Sequence, residues 1–198
     1  GEYLDNPRHY RKVEKKLKKL QMALSHKKRG SHRRNKAVQA VAKAHRKIRH
    51  QRADYLHKGS RKLVNRFQVL VFEDLQTDNL LKRPKPKQDE GTGQYLPNGA
   101  ASKAGLNKSI QDAGWATFVE YCTYKAAWAG RRLVLVNPKN TSQICSNCGR
   151  VVRKTLKDRW HSCQCGEEAD RDTNSAKLIL DLGKEHLLGG TRPTRATA

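Results

Sequence analysis

The sequence predicts an α/β domain carrying a basic helical arm, and three patterns lead to that expectation. Two stretches, 8–29 and 33–64, space apolar side chains three and four apart among lysines and arginines. Two short runs, 67–72 (F-Q-V-L-V-F) and 133–136 (L-V-L-V), are nearly all apolar and rich in β-branched residues, with a helical pattern between them. Four of the five cysteines crowd into residues 145–165.

Taken in order, Tyr10, Val13, Leu17, Leu20 and Leu24 form one face of a first helix over 8–29. Lys28-Arg29-Gly30-Ser31 then offers a stop and a fresh N-cap in Ser31. A second helix is expected over 33–64, with Val38, Val41, His45, Ile48, Arg52, Tyr55 and Leu63 near one stripe and Gly59 as a bend or interruption. The pair reads as a long antiparallel hairpin, apolar inside and cationic outside. Run 67–72 suits a strand buried on both faces and ends at Glu73-Asp74. Residues 78–106, with Pro84, Pro86, Pro97 and several glycines, are expected to form a long mobile loop. Ile110, Ala113, Phe118, Tyr121, Cys122 and Lys125 mark a third helix from Asn107 to near Gly130. A second strand follows at 133–136, and strand–helix–strand order implies a parallel pair. The last helix is expected over 173–182, stopped by Gly183.

The charge narrows the partner class. The chain has 198 residues and a formal net charge of +24. Residues 1–70 hold 22 of the 42 basic and 4 of the 18 acidic side chains, net +18, which leaves +6 for the rest. Such a segment repels itself unless a polyanion neutralises it, so nucleic acid is the first expectation and an anionic membrane surface the weaker one. No apolar run approaches the roughly 20 residues of a membrane span.

Cys145 and Cys148 form a C-x2-C knuckle before Gly149, and Cys163 and Cys165 a C-x-C knuckle before Gly166. Two short-spaced thiol pairs on glycine turns suit a closed, structural tetrahedral zinc site, with His161 in reserve as a ligand. Cys122 falls on the apolar face of a helix and reads as core. Two acidic positions stand out: Glu73 at a strand end, and Asp170-Arg171-Asp172-Thr173-Asn174 before the last helix. Each has an ordinary reading, as a solvent-facing strand end or an N-cap. Together they suggest carboxylates that grip Mg²⁺ for phosphodiester chemistry.

These motifs resemble a known family. V-F-E-D-L (71–75), T-S-Q-x-C-S-x-C-G (141–149) and D-R-D-T-N-S-A (170–176) stand in the order found in the TnpB/OrfB proteins of insertion sequences. L-x-x-L-Q (17–21), K-x-R-G-S (27–31) and Y-L-H-K (55–58) are similar to them too. The family comprises RNA-guided DNA endonucleases related to the type V CRISPR effectors. The resemblance implies a RuvC-like, RNase H-type fold with a zinc ribbon inserted before the final motif. It also implies Glu73 and Asp172 as catalytic carboxylates for Mg²⁺, ahead of Asp170, which reads as a cap or as a group supporting the metal ligands, and Cys145, Cys148, Cys163 and Cys165 as zinc ligands. The C-x-C knuckle is a shortened variant of the family pattern.

The expected nucleic-acid contacts are Lys15, Lys16, Lys19, Lys27, Lys28, Arg29, Arg33, Arg34 and Lys36. DNA is the expected partner, with a guide RNA in the complete protein; no membrane and no small-molecule substrate is expected, and the family implies a cytoplasmic, nucleoid-associated protein of a bacterium or archaeon. The family's first catalytic Asp precedes a segment that Gly1–Pro7 resembles, so the chain reads as a C-terminal part with an incomplete RuvC-like domain and little autonomous cleavage. The expected organisation is a partial RuvC-like domain over 1–140 including the basic hairpin 8–65. A zinc ribbon over 141–168, a final motif and helix over 169–188, and a disordered tail over 189–198 follow. The competing reading is a non-catalytic basic zinc-ribbon protein that binds DNA or RNA.

Overall fold

The computed structural model describes residue 2 and residues 4–189, so the tail expected over 189–198 lies, from residue 190 on, outside the described residues. The chain divides into two compact units. A helical unit comprises Leu4–Lys62 and Gln76–Tyr121, and a sheet unit contains Leu63–Leu75 and the chain from Cys122 onward.

The helical unit begins with α1 (His9–Ser25), whose Leu17 is buried while Tyr10, Val13, Leu20 and Leu24 are half-buried. Gly30, at φ 78°, takes the left-handed turn that few other residues tolerate. Ser31 then caps α2 (His32–Arg66), its Oγ accepting from the Arg34 amide at 3.2 Å. Residues 9–16 of α1 face residues 44–51 of α2 around a small cavity, which is the expected antiparallel hairpin. Gly59 does not interrupt α2, which is continuous from His32 to Arg66. A Cβ there would stand 3.3 Å from Leu4 and from Phe118, so the missing side chain serves close packing.

The start of α1 has an unusual cap. Arg8 at the N-cap position is left-handed and supplies no side-chain hydrogen bond. The carboxylate of Asp112, on α4 (Ala100–Ala113), accepts from the amides of Tyr10 at 3.0 Å and Arg11 at 3.4 Å. It also accepts from the Arg52 guanidinium at 2.9 Å. An acid 102 residues away thus does what a neighbouring Ser or Asp usually does for a helix start.

The loop expected over 78–106 is instead structured. It holds α3 (Thr77–Leu81), then β2 (Lys87–Gln88) and β3 (Tyr95–Leu96) in an antiparallel hairpin, and the first residues of α4. Asp89 closes the hairpin by accepting from the Gly91 and Thr92 amides and the Thr92 hydroxyl, an Asx-type turn that proline and glycine counts do not reveal. The single helix expected from Asn107 to Gly130 is two, because Gly114 at φ 67° ends α4 before α5 (Trp115–Trp128).

In the sheet unit, β1 (Val69–Glu73) pairs in parallel with β4 (Arg132–Val136), from Val69 opposite Arg132 to Glu73 opposite Val136. The strand expected to be buried on both faces is only half-buried; Leu70 alone of β1 is buried. Helix α6 (Arg171–Leu187) packs on both strands. Gly183 does not stop it: it lies buried within α6, where a Cβ would come 2.4 Å from a methyl of Val71. Glycine here is a socket for the neighbouring strand. A second antiparallel pair, β5 (Trp160–Ser162) and β6 (Glu168–Asp170), leads into α6.

Two stability outcomes follow. Asp112→Ala leaves Arg52 without its buried partner and α1 without its cap, and should cost about 3–5 kcal/mol in denaturant unfolding. Gly183→Ala should cost about 1–3 kcal/mol by overpacking against Val71. Adding Val71→Ala should recover part of that loss in a double-mutant cycle.

Candidate functional site

The four-cysteine cluster is assembled from two tight turns. In the first, the Gly149 amide donates to the Cys145 carbonyl at 2.9 Å, and the Cys145 amide to the Arg150 carbonyl at 2.9 Å. In the second, the Gly166 amide donates to the Cys163 carbonyl at 2.9 Å and the Cys163 amide to the Glu167 carbonyl at 3.0 Å. Gly149 and Gly166 both have positive φ, which lets each turn close beneath its sulfurs. The sulfurs of Cys145, Cys148, Cys163 and Cys165 all lie within 4.8 Å of one another. Across the turns, Cys145 is 3.7 Å from Cys165 and Cys148 is 3.6 Å from Cys163. A tetrahedral site with Zn–S bonds near 2.3 Å needs sulfurs about 3.8 Å apart, so the donor set and its spacing fit a thiolate-bound metal. The shortened C-x-C knuckle reaches the cluster without help.

The thiols are unequal. Burial pushes the Cys145 thiol up to about 11. The Cys165 amide pulls Cys163 down, but burial and the Cys148 thiol outweigh it and leave Cys163 raised. The Glu167 amide draws the exposed Cys165 down to about 7. His161 is fully buried and turns its Nδ1 to the Lys154 ammonium, outside the thiol cluster, so it is not needed as a ligand. Burial, then Lys154, lowers its pKa and keeps the ring neutral. Cys122 is buried in α5 as core, and burial raises its thiol to about 11 against the pull of Lys125.

The two candidate carboxylates lie outside this cluster, one on β1 and one on α6. Glu73 is the last residue of β1, and its Oε1 accepts from the Thr141 hydroxyl at 2.5 Å. Asp170 is the N-cap of α6, accepting from the amides of Asp172 at 2.9 Å and Thr173 at 3.3 Å. Asp172 lies in the first turn, 65% exposed, with Arg171 Nε 3.4 Å away. Asn174, one half-turn on, is fully buried; its Nδ2 donates to the Ile144 carbonyl at 2.8 Å and its Oδ1 accepts from the Ser146 amide at 3.0 Å. Segment 141–146 is thereby bonded to the strand that bears Glu73 and to the helix that bears Asp172. Among the described residues, no other set of three or more His, Cys, Asp or Glu side chains is close enough to share an ion. Thr141 and Asn174 lie inside motifs visible in the sequence, but their partners are 68 and 28–30 residues away.

On the helical unit, Lys15, Lys16, Lys19, Lys27, Lys28, Arg29, Arg33 and Lys36 are exposed. Arg34 is half-buried and its guanidinium donates to the Leu24 and Lys27 carbonyls, joining the end of α1 to the turn before α2. A cleft of about 630 Å³ is lined by Tyr10, Arg46, Arg49, Arg52 and Lys108, of which Arg52 is bonded to Asp112 and Lys108 to Glu14. The three-residue spacing of those arginines was the available signal, hidden in a segment where basic residues are everywhere. No described helix is long and apolar enough to cross a membrane.

Two family models match the chain: "Probable transposase" over residues 1–83, and "Cas12f1-like, TNB domain" over residues 115–179. The chain is 38% identical over 185 residues to "Putative RNA-guided DNA endonuclease" of Streptomyces pristinaespiralis, covering 92% of this chain and 41% of that protein. It is 33% identical over 183 residues to "Putative RNA-guided DNA endonuclease InsQ" of Escherichia coli (strain K12), covering 91% and 44%. The chain therefore spans about two fifths of the length of these curated relatives. A chain in the "Cryo-EM structure of the Cas12f1-sgRNA-target DNA complex" matches with a TM-score of 0.49 and 15% identity, over 88% of this chain and 41% of that one.

The thiol chemistry sets a pH dependence. Cys145 and Cys163 are raised, so metal binding must displace their protons, and affinity is present at high pH and lost as pH falls. Zinc titration should show affinity dropping by about 100-fold or more as pH falls from about 8 to about 7, and more steeply once Cys165 also protonates. In the metal-free chain near neutral pH, iodoacetamide should label Cys165 first and Cys122 last, and zinc should protect Cys165.

Proposed function

The chain belongs to the TnpB family of transposon-encoded proteins, and from that premise we propose that it contributes a metal-dependent phosphodiester-cleaving site to an RNA-guided DNA endonuclease of an insertion sequence. The observation that carries this reading is the bonding of one cysteine-bearing segment to both carboxylate-bearing elements, through Thr141 to Glu73 and through Asn174 to Ile144 and Ser146. In this reading the sheet unit is a RuvC-like, RNase H-type fold. Its support is the parallel β1–β4 pair ending in Glu73, helix α6 across both strands, and the cysteine module between β4 and α6.

The four thiolates hold zinc in a closed structural site that stiffens the loop between β4 and α6. Glu73 and Asp172 present hard carboxylate oxygens, the donor type that Mg²⁺ takes. When bound there, Mg²⁺ would supply charge neutralisation at the scissile phosphate and a more acidic attacking water. Glu73 is held in place by its hydrogen bond. Asp172 is solvent-exposed, and its pairing with Arg171 is a surface contact that yields readily to a stronger partner. Two carboxylates alone bind such an ion weakly, so the 198 residues on their own are expected to cleave little. The exposed lysines and arginines of α1 and α2 neutralise backbone phosphates, with DNA and guide RNA as the expected polyanions.

Cleavage of labelled single-stranded DNA with Mg²⁺ or Mn²⁺, beside Glu73→Ala and Asp172→Ala, tests the proposal. Any metal-dependent cleavage should disappear in both variants. Cleavage that survives both would sink the assignment, and salt-sensitive binding without cleavage would leave the chain a nucleic-acid-binding zinc protein. For binding, replacing Lys15, Lys16 and Lys19 together by Gln should lower the slope of log affinity against log salt on duplex DNA by about 2–3. An unchanged slope would place the contact elsewhere.

A further inference from the structure

Thr141 stands out among the buried polar residues because its hydroxyl is spent on an acid rather than on its own turn. It is 4% exposed, and its Oγ1 lies 2.5 Å from Glu73 Oε1 and 3.1 Å from the Pro138 carbonyl. One hydroxyl proton cannot serve both acceptors. The carboxylate is the stronger one, and 2.5 Å is the length expected of an O–H···O⁻ bond. The threonine is itself fixed. Its β-branch restricts χ1, and Asn174 bonds the same segment at Ile144 and Ser146.

We propose that Thr141 is a positioning residue for the reaction: its hydroxyl fixes one oxygen of Glu73 so that the second faces a divalent cation in a single orientation. The proposal rests on the reading of Glu73 as a cation-binding carboxylate. A glutamate has three side-chain torsions, and at a half-buried strand end each one left free must be frozen when an ion binds. A buried hydroxyl that has already selected the rotamer removes that penalty, which is how supporting hydrogen bonds around metal-binding carboxylates act. No covalent step is assigned to Thr141.

The test is Mn²⁺ binding to the zinc-loaded chain, followed by paramagnetic relaxation, so that it does not depend on cleavage. Glu73→Gln should remove the binding. Thr141→Val, which keeps the shape and loses the hydroxyl, should weaken it about tenfold, and Thr141→Ser should restore it to within about twofold. Zinc content and the unfolding midpoint should stay near those of the parent in the serine variant. Should the valine variant unfold, Thr141→Ala beside Thr141→Ser makes the same comparison. Binding that Glu73→Gln removes but Thr141→Val leaves unchanged would overturn the role of Thr141 alone. Equal losses in the serine and valine variants would overturn it too, since packing rather than the hydroxyl would then matter. Absent Mn²⁺ binding in the parent, or binding that survives Glu73→Gln, would remove the reading of Glu73 beneath it.

Discussion

With 42 basic side chains against 18 acidic ones and 36% hydrophobic residues, the chain has little apolar surface with which to fix one element to another, and buried polar side chains take over that task. In the helical unit the role falls to Asp112, 3% exposed, which gathers the first amides of α1 and the guanidinium of Arg52. In the sheet unit it falls to Asn174, wholly buried, whose amide both donates to and accepts from the cysteine-bearing turn. Each satisfies backbone groups that would otherwise be stranded, and a stranded buried group costs more than an ordinary hydrogen bond contributes. Directional bonds of this kind also select one arrangement among the many that loosely packed apolar stripes allow.

The cysteine module illustrates how one local structure serves two purposes. Its glycine turns bring four sulfurs to near-tetrahedral spacing, and a thiolate-bound metal then has no open coordination position. The same turn carries Thr141 at its start and receives Asn174 at its middle. The segment that carries the first thiol pair is thus the same one that bonds to Glu73 and to Asn174.

The distribution of charge separates the work of the chain along its length. The exposed cations of α1 and α2 have few acids to answer them, so their field favours a polyanion. Where a basic side chain is needed for structure it is recognisably different: Arg34 is turned to carbonyls, and Arg52 to a buried acid. The exposed cations gather on the helical unit and the four clustered thiols on the sheet unit.

What the sequence determined by itself was everything with a short range. The stripe of α1, the Ser31 cap, two apolar runs that pair in parallel, and two knuckles of cysteine all follow from neighbours within a turn or two, whereas Val38 and His45 of the stripe expected on α2 are exposed. The motif residues Glu73 and Asp172 were also visible, though not what holds them. Tertiary structure decided the rest. Gly183 looks like a helix stop until Val71 is seen against it, and Gly59 like an interruption until Leu4 and Phe118 are. Residues 78–106 look like open loop until Asp89 closes their hairpin. Asp112 carries no local signal and Thr141 only its place in a motif, since their hydrogen-bond partners lie about 100 and 68 residues away. Periodicity reports which face of an element is apolar; only the packed chain brings to that face the residue that makes a missing side chain or a buried oxygen necessary.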